Sequence, residues 1–361
     1  MSSATGTVEH ERAWGHLEDG TPVGRWTLDD GALRVSLLEH GARIQALEAP
    51  DRDGRRAGVV LGFADLAPYT GKGRSFGATV GRFANRIAGG RFRIDGAEVA
   101  VPATDRGNAL HGGPHPFSER LWSAHPVDGR AGVRFSLLSP DGDNGFPGNL
   151  SVHVSYVLSG GTLVVEYFAT TDAATVLNLT NHAYFHLAGE GSGTVDAHLL
   201  QVDADAFLPV DENGLPTGEV RAVEGTPFDL RRPVPVGYRV GGERAGEDEQ
   251  LRRGSGFDHC FVLADVPAGS RPRSRAARLE DELSGRVLEV WTDQPGVQVF
   301  TGGTLAGTLV GASGRAYGPR SGIALETQAF PDAPNRPEFP TTALRPGEEF
   351  HAVTELRFST S

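Results

Sequence analysis

Glu326 follows Ile323-Ala324-Leu325, so the chain carries a carboxylate on an apolar strand. Acidic side chains are rare in such places unless they are paired or used. A salt-bridged core glutamate would read the same way. Far upstream, the segment from Leu179 to Leu187 puts His182, Tyr184 and His186 at alternate positions. Alternate residues share one face of a strand. A strip of imidazole, phenol and imidazole suits a polyol, because the rings lie against C–H faces while the ring nitrogens meet hydroxyls. The apolar neighbours Leu179, Phe185 and Leu187 weigh against a merely solvated edge strand.

Three further segments hold polar residues in Gly-rich or strand-like surroundings. In Gly81-Arg82-Phe83-Ala84-Asn85-Arg86-Ile87 two arginines flank an apolar patch, and Asn85 adds an amide. The rigid guanidinium fork suits sugar hydroxyls or a carboxylate, although a surface Arg pair would look alike. In Asn108-Ala109-Leu110-His111-Gly112-Gly113-Pro114-His115 a histidine sits in a loop, where functional residues concentrate. His111 and His115 would form a metal pair on a helix, but Gly-Gly-Pro makes a helix there unfavourable. In Gly256-Phe257-Asp258-His259-Cys260-Phe261-Val262-Leu263, Asp258 stands between a turn and an apolar strand. A turn-capping role would account for it equally. Cys260 reads as a small core residue. The chain has no phosphate loop, dinucleotide fingerprint, zinc-ligand spacing or Gly-x-Ser-x-Gly elbow. Imidazoles, carboxylates and arginines remain, the set for general acid–base work on a neutral polyol.

These residues need a scaffold, and the pattern around them has period two. Leu33, Val35 and Leu37 alternate with polar neighbours. So do Leu150, Val152, Val154, Tyr156 and Leu158, followed by Gly160-Gly161 and then Leu163, Val165 and Tyr167. The latter pair is a hairpin with a Gly-Gly turn. Val287–Trp291, Val297–Thr301 and Ala352–Phe358 add further strands. Helical periodicity is scarce: a single turn is expected over 64–69, and the charged stretch 242–250 reads as a solvated loop. The expectation is an all-β protein, a large antiparallel β-sandwich with few short helices. No linker divides the chain, so residues 13–361 are expected to form one domain after a disordered tail over 1–12.

With 39% hydrophobic residues, 49 Gly and 23 Pro in 361 positions, the chain can bury a large core and make many turns. The net charge of −12 excludes nucleic acid and anionic membrane as expected partners, since both require a basic face. One cysteine excludes an intrachain disulfide. There is no basic leader followed by an apolar run and no stretch of about 18 apolar residues, so a cytoplasmic protein is expected.

Taken together and in order, GRFANRI, NALHGG, TNHAYF, GFDHCFVL, PGVQVFTG and LETQAFPDAPN resemble the aldose 1-epimerase (galactose mutarotase) family. The likeness extends over residues 14–359. It implies a β-supersandwich with an open cleft on one sheet and a cofactor-free isomerase acting on free hexoses such as galactose or glucose. It also implies roles: Glu326 as catalytic base, His182 as catalytic acid, and Arg86, His111 and Asp258 as substrate-binding residues. Asn85 and Gln298 match weaker contacts. No metal is implied, and a monomer or a homodimer would both fit. One departure stands out: the family usually has Asn where this chain has His186. The loop Pro114-His115-Pro116 is also unusual. Three rival readings remain on the sequence alone. They are a hexose-6-phosphate 1-epimerase, with Arg82 as the cation for the phosphate, a non-catalytic sugar-binding protein of the same fold, and a glycoside hydrolase using Asp258 and Glu326.

Overall fold

The structure, a computed structural model, describes residues 6–263 and 274–361. The alternating segments build a nine-stranded antiparallel sheet. Its order is Ser123–Pro126, Ala131–Ser139, Leu150–Ser159, Thr162–Thr171, Phe350–Thr360, Arg286–Thr292, Ser274–Asp281, Leu199–Val202 and Val234–Pro235. The Gly160-Gly161 hairpin pairs Leu150 with Thr171 through to Ser159 with Thr162, as its alternation requires. Its inward residues Val152, Val154, Tyr156, Leu163, Val165 and Tyr167 are buried in the main core.

Across that core lies a six-stranded sheet, ordered Tyr184–Phe185, Ile323–Gln328, Gly296–Phe300, Asp258–Val262, Ala206–Phe207 and Arg221–Ala222. Here alternation decides the chemistry. Ile323, Leu325, Val297, Val299 and Phe261 join the main core. The residues between them, including Glu326, Gln298 and Asp258, therefore lie on the opposite face. A five-stranded sheet (Thr7–His16, Pro22–Asp29, Arg34–Leu38, Arg43–Pro50, Arg56–Gly58) completes the sandwich and contributes Leu28, Val35 and Leu37 to the same core. Among the described residues, no helix is long and apolar enough to cross a membrane.

Two expectations need correction. Residues 1–5 lie outside the described part, but the rest of the expected tail is not loose. Thr7–His16 is a strand paired with Pro22–Asp29. It is mostly exposed and polar, which hid it. It is held by the backbone ladder and by His10, whose ring stacks on Trp26 at 3.9 Å and whose Nε2 lies 3.2 Å from Glu39. The charged stretch 242–250 is not a loop either. It forms the short helix Gly242–Glu247 and the start of a second, Glu249–Gly254. The Asp248 carboxylate caps the second helix by accepting from Leu251 N–H at 3.0 Å. Gln250 is buried, with its amide paired to both N–H and C=O of Val210.

Three buried histidines away from the cleft contribute to the pH response of the fold. Burial pushes His40, His198 and His259 down from 6.5 to about 4. Arg43 adds to the shift at His40, and His186 adds to it at His198. The folded state thus refuses protons that the unfolded chain accepts below pH 6.5. Stability is full above that value and is lost as the pH falls toward about 4. The free energy of unfolding should drop over that window by on the order of 10 kcal/mol for the three groups together. Urea titrations at pH 7.5, 5.5 and 4.5 measure this; an unchanged midpoint would refute it.

Candidate active site

The cross-strand register assembles the centre. Cys260 lies opposite Gln298, and Gln298 opposite Glu326. One row along, Asp258, Phe300, Ala324 and Tyr184 are successive neighbours. Two residues before Tyr184, His182 comes alongside Glu326, with Nε2 3.7 Å from the carboxylate Oε1. The backbone of His182 is fixed on both sides: its N–H donates to Ala78 C=O and its C=O accepts from Gly77 N–H, each at 2.9 Å. Both side chains are buried at the floor of the cleft. Glu326 Oε2 and His182 Nδ1 have no hydrogen-bond partner among the described residues.

The motifs around Asn85 and His111 exist because they pair. Ala109 and Leu110 form an antiparallel ribbon with Ile87 and Arg86. At its end His111 N–H donates to Asn85 C=O, and Asn85 N–H donates back to His111 Nδ1. Both residues adopt left-handed backbone, φ 64° and 53°, which Asn and His tolerate better than branched residues. With Nδ1 accepting, the ring proton of His111 belongs on Nε2. Burial, with the nearby His182 and Arg86, keeps His111 well below its ordinary value, so it is a neutral donor. Arg86 Nε donates to Asp105 at 2.8 Å. Gly214, at φ +78°, packs on this guanidinium, and a Cβ there would come within 3.1 Å of Cζ.

The opposite wall is aromatic. Tyr184 lies against Phe76 (4.6 Å between ring centroids), His182 (4.9 Å) and Phe300 (5.9 Å). The cleft has a volume of about 620 Å³. That falls within the roughly 300–1,000 Å³ range of small-molecule sites. Its lining includes Asn85, Arg86, His111, His182, Asp258 and Glu326. Burial and the charge of Asp258 push Glu326 well above the ordinary carboxylate range, and Arg86 opposes that. Burial pushes His182 down to about 4, against the opposing pull of Asp258.

Six of the seven residues singled out in the sequence therefore line one cavity. Gln298 does not. It is buried beside Glu326 on the same sheet face, where Nε2 donates to Asp258 Oδ1 at 2.7 Å and holds that carboxylate. His186 also leaves the expected strip. The strand ends at Phe185, the alternation ends with it, and the His186 ring packs edge-on against His198 at 4.8 Å. His115 is exposed, its backbone paired with Asn144. Arg82 is buried and donates to Ser139, Pro147 and Gly148, so it is not a cation facing the cleft. Asp105, Tyr317 and Arg253 are cleft residues that the sequence did not reveal. Asp105 stands three residues before NALHGG and had a local signal. Arg253 follows from the helix missed at 249–254.

The family model for aldose 1-epimerase matches residues 24–357. The galactose mutarotase of Homo sapiens is 46% identical over 359 residues, covering 99% of each chain. The aldose 1-epimerase of Escherichia coli strain K12 is 38% identical over 344 residues, covering 94% of this chain and 96% of the other. The crystal structure of galactose 1-epimerase from Lactobacillus acidophilus NCFM superposes with a TM-score of 0.84 at 28% identity, covering 99% of this chain and all of the other. With the motifs, the sandwich and the histidine–glutamate cleft in agreement, the chain belongs to the aldose 1-epimerase family.

Proposed function

We propose that the protein interconverts the α and β anomers of a free hexose, with Glu326 as base and His182 as acid. The observation that carries this is the pair itself: one carboxyl and one imidazole, 3.7 Å apart at the floor of a polar cleft of small-molecule size. Glu326 takes the proton from the C1 hydroxyl while His182 gives one to the ring oxygen. The C1–O5 bond breaks, the aldehyde turns about C1–C2, and O5 attacks its other face. On closing, His182 recovers its proton from the C5 hydroxyl and Glu326 returns one to O1. The pair ends as it began, holding one proton. Arg86, His111 and Asp258 supply donors and an acceptor for the other hydroxyls, and the aromatic wall meets the C–H face.

Burial favours the uncharged forms of both partners, an acid beside a neutral imidazole. That form and the carboxylate–imidazolium form contain the same single proton. Hydroxyl donors from a bound sugar, together with Arg86, favour the charged form at the moment it is needed.

A phosphorylated substrate fits less well. Arg82 is enclosed, Arg106 contacts Asp105 and Arg253 contacts Glu249, which leaves the exposed Lys72 at the cleft rim as the cation a phosphate would have to use. Polarimetry on α-galactose, α-glucose and α-glucose 6-phosphate tests the reading. Free sugars should mutarotate at least tenfold faster by kcat/KM than the ester. The opposite preference, or no acceleration of any sugar, would overturn it.

A further inference from the structure

The motif LETQAFPDAPN continues six residues beyond Glu326 to Asp332, which lies outside the cleft lining. Asp332 is 1% exposed and adopts left-handed backbone, φ 57°. Its N–H donates to Arg86 C=O at 2.8 Å, and its carboxylate Oδ1 accepts from Ala88 N–H at 2.9 Å. Asn335 Nδ2 in turn donates to that same Oδ1 at 2.7 Å and to Arg91 C=O at 2.9 Å. The two-residue strand Arg86–Ile87 already pairs with Ala109–Leu110 on one edge. On its other edge a single residue does what a neighbouring strand would do, with a side-chain oxygen in place of a backbone carbonyl.

We infer that Asp332 is a positioning residue: it clamps the free edge of the Arg86 strand and so fixes the Arg86 guanidinium relative to Glu326 on the same chain segment. This rests on the reading of Arg86 as a sugar contact. A two-residue strand with one paired edge can slide or twist, and a small misplacement of a binding group has large kinetic effects. The clamp joins the segment carrying the base to the segment carrying the sugar contact.

Asp332→Gly removes the carboxylate while keeping a residue at ease with positive φ. Asp332→Asn keeps an oxygen in the Oδ1 position. The Gly variant should raise KM about tenfold and lower kcat less. It should also move the alkaline limb of the pH–rate profile upward, because a displaced Arg86 no longer holds Glu326 down against burial and Asp258. A purely structural role would reduce the active fraction and leave KM and that limb in place. The Asn variant should restore KM to within about threefold of wild type. In an Arg86→Ala background, Asp332→Gly should add less than about twofold, whereas independent roles would multiply. Wild-type KM and pH profile in folded Asp332→Gly, or multiplicative effects in the double variant, would refute the clamp. If the Gly variant does not fold, exposed Asn335→Ala carries the test: KM should rise about threefold, and an unchanged KM would refute the clamp. An Arg86→Ala variant with wild-type KM would instead refute the role given to Arg86, and an inactive wild type would refute the epimerase reading.

Discussion

Glu326→Gln should lower kcat for mutarotation by about 10³-fold while KM for galactose changes only a few-fold. The amide has the size of the acid and can still accept a hydrogen bond from a sugar hydroxyl, so binding survives. It cannot take the C1 proton, so ring opening loses its base. The fold should gain. Glu326 is buried beside Asp258 and has an oxygen without a hydrogen-bond partner among the described residues. An amide needs no proton to be uncharged, so folding no longer carries the cost of protonating a carboxylate that is ionised in the unfolded chain at neutral pH. The melting temperature should therefore hold or rise, the usual sign of a residue kept for activity at the expense of stability. Polarimetry and calorimetry on the same preparation check both halves. A kcat within tenfold of wild type in a folded variant would remove Glu326 from the chemistry.

Why was Glu326 visible in the sequence while Arg253 was not? A carboxylate after Ile-Ala-Leu violates a strong local rule, and the violation has a single address. The strand Ile323–Gln328 is buried on both faces, so nothing in it alternates simply. Only the neighbouring strand Gly296–Phe300, with Val297 and Val299 in the core, shows which face Glu326 must take. The long hairpin at 150–171 was legible for the opposite reason: one face is core, the other half-exposed, and period two shows plainly. The exposed strand at 7–16 and the charged helices at 242–254 were missed because neither buries enough apolar surface to leave a pattern. The first is held by ladder hydrogen bonds, the second by the Asp248 cap and buried Gln250. Both features become visible only once distant partners, Trp26 and Val210, are in place.

Residue roles divide along the same line. Asn85 and His111 were named one by one, yet their mutual hydrogen bonds depend on a ribbon that brings residues 26 apart together. Gln298 was expected at the sugar only because the family resemblance of PGVQVFTG implied a contact there. Its side chain is instead taken by Asp258, and no spacing rule could foretell which of two polar neighbours would reach the cavity. His186 teaches the converse. Alternation is a property of strands, and a strand that stops at Phe185 gives no information about residue 186.

His182→Asn should lower kcat about 10²–10³-fold and change the shape of the pH profile, which is the sharper test. In the wild type the active form is the pair with one proton, so kcat/KM should be bell-shaped. The acid limb reports a second proton entering the pair. Burial holds His182 near 4, so this limb should lie near that pH. The alkaline limb reports loss of the remaining proton. Burial and Asp258 hold that proton on, which places the limb well above the ordinary carboxylate value. Both limbs belong to the coupled pair, not to either residue alone. With Asn at 182 only Glu326 titrates, and it acts only when ionised. Activity should then rise with pH through its elevated value and show no alkaline fall, because water has replaced the imidazolium as proton donor. A bell retained in His182→Asn would mean that some other group supplies the acid, and the pairing of 182 with 326 would no longer explain catalysis.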